Sequence, residues 1–132
     1  FYTAQLAAAA AAAQIGGTLD GTLSAYLRAW NEAHSSQCLS LLDRAVEADM
    51  VYRDRMALVR GRDALGGHVA GTRAFAPGLT LELTGAPRQS HQYATFDWRT
   101  SDALGVTVAT GSCFAEMSPD GRFRSVVGFW NG

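Results

Sequence analysis

Four side chains of this 132-residue sequence combine reactive chemistry with a setting that would sharpen it: Tyr26, Asp54, His68 and Cys113. Asp54 follows the apolar run Met50 to Tyr52 and stands between Arg53 and Arg55. Paired with either arginine, its carboxylate stays ionised and structural; pointing into an apolar cavity, it is desolvated and becomes a general base. Tyr26 falls on the apolar side of a helical pattern, where a phenol is either a core side chain or a hydrogen-bond donor to a ligand. His68 suits a proton shuttle or a polar group satisfied by a neighbour. Cys38 and Cys113 form neither a CxxC pair nor a metal-ligand spacing, so neither metal nor cofactor is expected. A single disulfide and two buried thiols both stay open. Cys113 as a covalent nucleophile has no partner base in view; otherwise it is a small buried residue of a sheet.

The aromatic content exceeds what a small core requires. Among Trp30, Phe75, Phe96, Trp98, Phe129 and Trp130, some can line a pocket for a flat, apolar ligand. Phe96 and Trp98 are the foremost candidates, with Trp30 and Phe129 beside them, and the expected ligand is a small hydrophobic molecule. A hydrophobic fraction of 48% with 17% charged residues describes a globular domain rather than a disordered chain. The net charge of −1 leaves no electrostatic footprint for nucleic acid, and all eleven basic residues are arginine. No apolar run approaches the ~20 residues that span a bilayer, so no membrane partner is expected, and a cytoplasmic location is.

Positioning these groups requires helices first and strands after. Residues 1–17 are a low-complexity, alanine-rich segment for which a tag, an extra helix and residues of unassigned identity stay open. The organised domain, 18–132, begins with Leu23, Tyr26, Leu27 and Trp30 at the i, i+3, i+4, i+7 spacing of an amphipathic helix. A second helix carries Leu39, Leu42, Ala45 and Val46. Met50 to Tyr52 read as a short strand. Gly61 to Asp63 open a third helix that Asp63 caps, with Leu65, His68, Val69 and Thr72 on one face, and Pro77-Gly78 stop it.

From Leu79 the period changes to two. Leu79, Leu81 and Leu83 form a half-buried strand, and Gly85 to Pro87 interrupt it. The next strand runs from His91 to Arg99, with Ala94, Phe96 and Trp98 on the concave face and Tyr93, Thr95, Asp97 and Arg99 on the other. A long strand from Gly105 to Met117, a turn at Pro119-Asp120-Gly121 and a last strand from Arg122 to Trp130 complete an α+β order.

This order resembles the SnoaL-like and ketosteroid-isomerase-like families of the nuclear-transport-factor-two-like superfamily. The residues that carry the resemblance are Tyr26-Leu-Arg-Ala-Trp30-Asn31-Glu32, Asp49-Met-Val-Tyr52-Arg-Asp54 and Gly61-Arg62-Asp-Ala-Leu65. Phe75-Ala-Pro77-Gly78, His91, Phe96-Asp-Trp98, and Asp120-Gly121-Arg122 running to Gly128-Phe129-Trp130 follow. It extends over nearly all of residues 18–131. It implies a cone of three helices packed on a curved, mainly antiparallel sheet, on a scaffold that hosts enzymes and binding modules alike.

Ketosteroid isomerases pair an Asp base with a Tyr and a protonated Asp that stabilise an enolate oxygen. The resemblance places Tyr26 at the tyrosine position, Asp54 at the base position and Cys113 where the protonated acid would stand. It also turns His68 toward the cavity. A thiol is a weak donor, so one of three catalytic positions departs from the pattern. The implied function is isomerisation or cyclisation of a hydrophobic ketone through an enolate. The alternative is a non-catalytic ligand-binding or dimerisation domain. A second alternative, an epoxide-hydrolase-like enzyme, rests on Asp97 and Arg99 sharing a strand face, where they also suit an ordinary ion pair. His91 is expected to be structural or exposed, and His34 to end the first helix. A homodimer through the outer sheet face is expected from Val106, Val108, Phe114 and Val126 or Val127.

Overall fold

The inward alternation of Ala94, Phe96 and Trp98 governs the architecture, because these buried residues form the floor on which the helices rest. The computed structural model describes residues 18–131; the expectations for residues 1–17 fall outside them. In chain order the elements are α1 (Thr18–Asn31), α2 (Ser35–Ala45), β1 (Val46–Arg53), β2 (Leu58–Arg60), α3 (Arg62–Phe75), β3 (Thr80–Leu83), β4 (Arg88–Ser90), β5 (Tyr93–Ser101), β6 (Thr107–Met117) and β7 (Phe123–Trp130). The strands form one curved sheet in the order β2-β1-β7-β6-β5-β3, with β4 also on β5. Every pairing is antiparallel except β1 with β7. The result is the α+β cone expected, three helices on a mainly antiparallel sheet.

Register shifts occur at Thr100/Ser101 in the β5–β6 pair and at Glu116/Met117 in the β6–β7 pair. Such irregularities bend a strand and increase its twist, as a sheet folded around helices requires. The core between the layers holds Leu23, Tyr26, Leu42, Met50, Leu65, Val69, Phe123 and Val126, all essentially inaccessible.

Several local expectations change. In α2 the buried face is Cys38, Leu41, Leu42 and Ala45, whereas Leu39 is partly exposed and flanks Gly66 of α3. A Cβ at Gly66 would lie 2.7 Å from the Leu39 side chain, so the glycine sets how closely the two helices approach. β1 starts at Val46, not Met50; a register irregularity against β7 between Val46 and Val51 breaks the simple alternation. Gly61, at φ 94°, occupies the N-cap of α3 without any side-chain cap bond, so Asp63 is not the cap. It lies in the first turn, where a negative charge suits the helix dipole. The Gly85–Pro87 interruption leads into the short β4, and His91 lies in the β4–β5 turn at φ 56° rather than starting a strand. His34 precedes α2 at its N-cap instead of ending α1, which stops at Asn31.

One side chain joins the helical layer to the edge of the sheet. Asn31 ends α1, donates its amide N–H to the Leu81 carbonyl at 2.8 Å and accepts the Leu81 N–H at 2.8 Å. It therefore pairs with β3 as a neighbouring strand would. Asn31→Ala leaves the Leu81 backbone groups without these partners and is expected to cost about 1–3 kcal/mol. Thermal unfolding checks this: Tm should fall by about 4–8 °C for each kcal/mol lost. An unchanged Tm would mean that the bond pair contributes nothing.

Candidate functional site

Four elements bring the chemically competent residues to one region of the helix–sheet interface. On α1, Tyr26 and Trp30 stand one turn apart on the same face. On β1, Tyr52 points inward, and by the period of two so does Asp54 just past the strand end. His68 comes from α3 and Cys113 from β6, opposite Gly128 of β7. Gly128 borders the carboxylate: a Cβ there would lie 3.5 Å from Asp54 Cβ and 3.8 Å from the Tyr52 hydroxyl, at ordinary contact distance.

Asp54 is held from three sides. The Tyr52 hydroxyl donates to Oδ2 at 2.6 Å, while the Met56 and Ala57 backbone N–H groups donate to Oδ1 at 2.8 and 2.9 Å. The turn is closed further by the Asp54 N–H donating to the Ala57 carbonyl at 3.0 Å. Oδ1 is thereby saturated, and Oδ2 keeps one lone-pair direction for a proton. The Arg55 guanidinium lies 4.1 Å from the centre of the Trp130 ring.

Tyr26 is 1% exposed and meets Phe123, Phe96 and Trp30 edge-on at centroid separations of 5.6, 6.3 and 6.4 Å. Its hydroxyl has no hydrogen-bond partner, and neither does the buried Trp30 Nε1. Burial drives the Tyr26 phenol far above its ordinary pKa; Cys113 and Asp54 add to the rise, and the nearby Trp30 N–H opposes it without reaching hydrogen-bond geometry. The Tyr52 phenol is raised as well, by burial first and then by Tyr26 and Asp54. Both phenols therefore keep their protons and can only donate or accept hydrogen bonds. Trp30, Tyr52 and His68 form a ring cluster, with His68 5.8 Å from Trp30 and 5.5 Å from Tyr52.

Cys113 does reach this region, but as a neutral thiol. Burial pushes it up to about 12, opposed by the Trp98 indole N–H and reinforced by Asp54. A nucleophilic thiolate is not available there at neutral pH. Trp98 lies across Gly111, so close that any side chain on Gly111 would collide with its ring. Both cysteines are free, which removes the disulfide alternative.

The aromatic candidates divide. Trp30 and Trp98 border the cluster, whereas Phe96 stacks on Phe123 at 6.2 Å and belongs to the core. Phe129 is on the wrong face: Val126 and Gly128 point inward, so the residue between Gly128 and Trp130 points outward and is 58% exposed. Trp130 is the inward aromatic at the C-terminal end of β7, as Phe123 is at its start. Tyr52 is the side chain of this cluster, bonded to Asp54, that pattern reading passed over. Its signal was available, since it sits two residues before Asp54 on a strand and so shares its side. Asp97 and Arg99 are outside and apart in their bonding: Arg99 pairs with Glu82 at 2.6 Å, and Asp97 accepts from Ser112 at 2.7 Å. Neither an Asp97–Arg99 ion pair nor an epoxide-opening acid–arginine set is formed.

Two surface clefts are lined by other residues. One of about 490 Å³ is bordered by Glu47, Asp49, Ser118, Asp120 and Arg124, and one of about 410 Å³ by Leu23, Leu27, Asn31, Leu81 and Leu83. Among the described residues no group of acidic, histidine and cysteine side chains is arranged to hold a metal ion. No helix among them is long and apolar enough to cross a membrane.

No family model matches the sequence, and no curated protein does. Solved structures do. A candidate isomerase of the SnoaL-like family from Agrobacterium tumefaciens superposes with a TM-score of 0.80 at 28% identity, covering 85% of this chain and 96% of that one. A candidate polyketide cyclase from Sinorhizobium meliloti superposes at 0.65 with 18% identity, over 82% of this chain and 93% of the other. A SnoaL-like protein of unknown function from Burkholderia thailandensis gives 0.68 at 16% identity, over 88% and 97%. The structural neighbours are thus SnoaL-like and nuclear-transport-factor-two-like proteins, and this chain has the cone they share. Those below 25% identity speak to the fold alone.

The state of the thiols is directly measurable. Cys38, also raised by burial, and Cys113 should both resist iodoacetamide at pH 8 in the folded protein and react promptly in urea. Rapid modification of Cys113 in the native state would show a thiolate that this environment does not support.

Proposed function

We propose that this protein binds a small hydrophobic carbonyl compound beside Asp54 and moves a proton on the carbon next to the carbonyl, as an isomerase or cyclase does. The observation that carries this reading is the buried, unpartnered Tyr26 hydroxyl in the neighbourhood of the Asp54 carboxylate. An orphaned buried donor costs about 1–3 kcal/mol, and a ligand oxygen would relieve that cost. Asp54 Oδ2 takes the proton from the α-carbon, and the electron pair left behind moves onto the carbonyl oxygen. Tyr26 donates to that oxygen where the charge develops. Returning the proton at another carbon gives an isomer; attack by the enolate carbon on a second carbonyl gives a ring. Tyr52 fixes the rotamer of Asp54 and acts as a positioning residue. His68 and the Trp30 and Trp98 rings supply the apolar surround.

Solvent exchange of the α-protons of 2-tetralone in D2O, followed by proton NMR, tests the reaction. Catalysed exchange is expected, with Asp54→Asn abolishing it and Tyr26→Phe slowing it by about 10²–10³-fold. Exchange that survives Asp54→Asn in a folded protein would remove Asp54 as the base. A binding module without turnover is the second reading, favoured by the weak donor Cys113 at the third position; saturable ligand binding with no exchange would select it.

The partner proposed is a second copy of the chain. On the outer sheet face Tyr93 stacks on Phe114 at 5.4 Å, and Val127 and Phe129 continue this apolar band; Val126 is buried inside and takes no part. Exposed Val106 and Val108 lie toward the start of β6. Charges of both signs border the band, with Arg99–Glu82 and Arg124–Glu116 pairs, so the face suits a copy of itself better than a strongly charged partner. Sedimentation velocity should give a dimer that Phe114→Asp converts to monomer. A wild-type monomer at micromolar concentration would rule this face out as the interface.

A further inference from the structure

The third donor position of the proposed reaction is filled by a thiol, yet a second strong donor stands next to Tyr26. Trp30 Nε1 is buried and has no hydrogen-bond partner, in the same condition as the Tyr26 hydroxyl one helical turn before it. An indole N–H can donate and cannot accept, so only an acceptor satisfies it. Its ring is fixed by Tyr52 at 5.7 Å and by His68 at 5.8 Å, which leaves the N–H little freedom to seek a partner elsewhere. Buried polar groups without partners are rare in native structures, and two together on one helix face form a feature that calls for an occupant.

We infer that Trp30 Nε1–H and Tyr26 O–H together form a two-donor site for one oxygen of the ligand, with the indole taking the place that Cys113 is too weak a donor to fill. This inference rests on the reading of the site given above and narrows the ligand class. Two donors turned to one point favour an oxygen with two free lone pairs and growing negative charge, as in a ketone passing to its enolate or in a phenolate. The one acceptor of the pair is the Tyr26 oxygen itself, so an alcohol or amine, which must also place its own proton, fits less well. Trp30 is then a catalytic residue that touches the reacting oxygen, in addition to bordering the apolar surround.

The probes are 2-naphthol, which mimics an enolate, and naphthalene, which has the same rings without the oxygen. The protein has three tryptophans, so three indole N–H resonances are expected in a 15N-labelled sample, and Trp30→Phe identifies the one from position 30. Saturation with 2-naphthol should move that resonance downfield, and naphthalene should not. Replacing Trp30 by 3-benzothienylalanine keeps the bicyclic ring but removes the N–H; it should weaken 2-naphthol about tenfold and leave naphthalene affinity unchanged, which also reports an intact site. Tyr26→Phe should weaken 2-naphthol in the same selective way.

The inference is overturned by equal binding of the two probes, by no saturable 2-naphthol binding, or by undiminished 2-naphthol affinity in the benzothienyl variant. An N–H resonance that stays in place at saturation overturns it as well, and leaves a trapped water as the partner. Asp54→Asn separates the two ideas. It should retain 2-naphthol binding while α-proton exchange stops, so loss of the base hypothesis and loss of the donor pair give different results.

Discussion

The burial of Tyr26 is the constraint on which both the core and the site depend. Its ring is wedged edge-on against Phe123 and Phe96, at the centre of the contact between α1 and the sheet. That packing commits the hydroxyl to a dry position where no backbone or side-chain group forms a hydrogen bond with it. The apolar gain of burying the ring, roughly 1.5–3 kcal/mol, is of the size needed to offset the about 1–3 kcal/mol that one unpaired donor costs. The unpaired donor is thus a consequence of how the core is filled.

Around it, local geometry decides what each polar group can do. The turn after β1 folds back so that backbone N–H groups occupy Asp54 Oδ1, and the Tyr52 hydroxyl takes one direction on Oδ2. A carboxylate so restrained presents one lone pair in a fixed direction, the property wanted in a base acting on a positioned carbon. One glycine makes the arrangement sterically feasible: Gly111 leaves room for Trp98 to lie across β6. It has no positive φ, so its purpose is space and not backbone freedom.

The sheet separates the molecule into two chemistries. Its inner face holds the helices and the reactive cluster. Its outer face carries the Tyr93–Phe114 stack, Val127 and Phe129 among short-range ion pairs. Away from the register irregularities, a strand residue belongs to one or the other by parity. That rule places Phe129 outside and Trp130 inside, and it places Asp97 and Arg99 outside with separate partners.

The sequence by itself determined the order of helices and strands, the inward face of β5 and the hairpin turn at Pro119–Gly121, because hydrophobic period and turn chemistry are local properties. Through the family resemblance it also singled out Tyr26, Asp54, His68 and Cys113 as candidates for one site. It started β1 too late, passed over β4 and put Leu39 on the apolar face of α2, where a register irregularity, a three-residue strand and a glycine contact between helices override the periodic signal. Which hydrogen bonds each group makes was decided only by the tertiary structure. Whether Asp54 faces an arginine or a tyrosine, and whether a buried hydroxyl finds a partner, depends on elements distant in sequence arriving within about 3 Å, the reach of a hydrogen bond. No spacing along the chain encodes that distance.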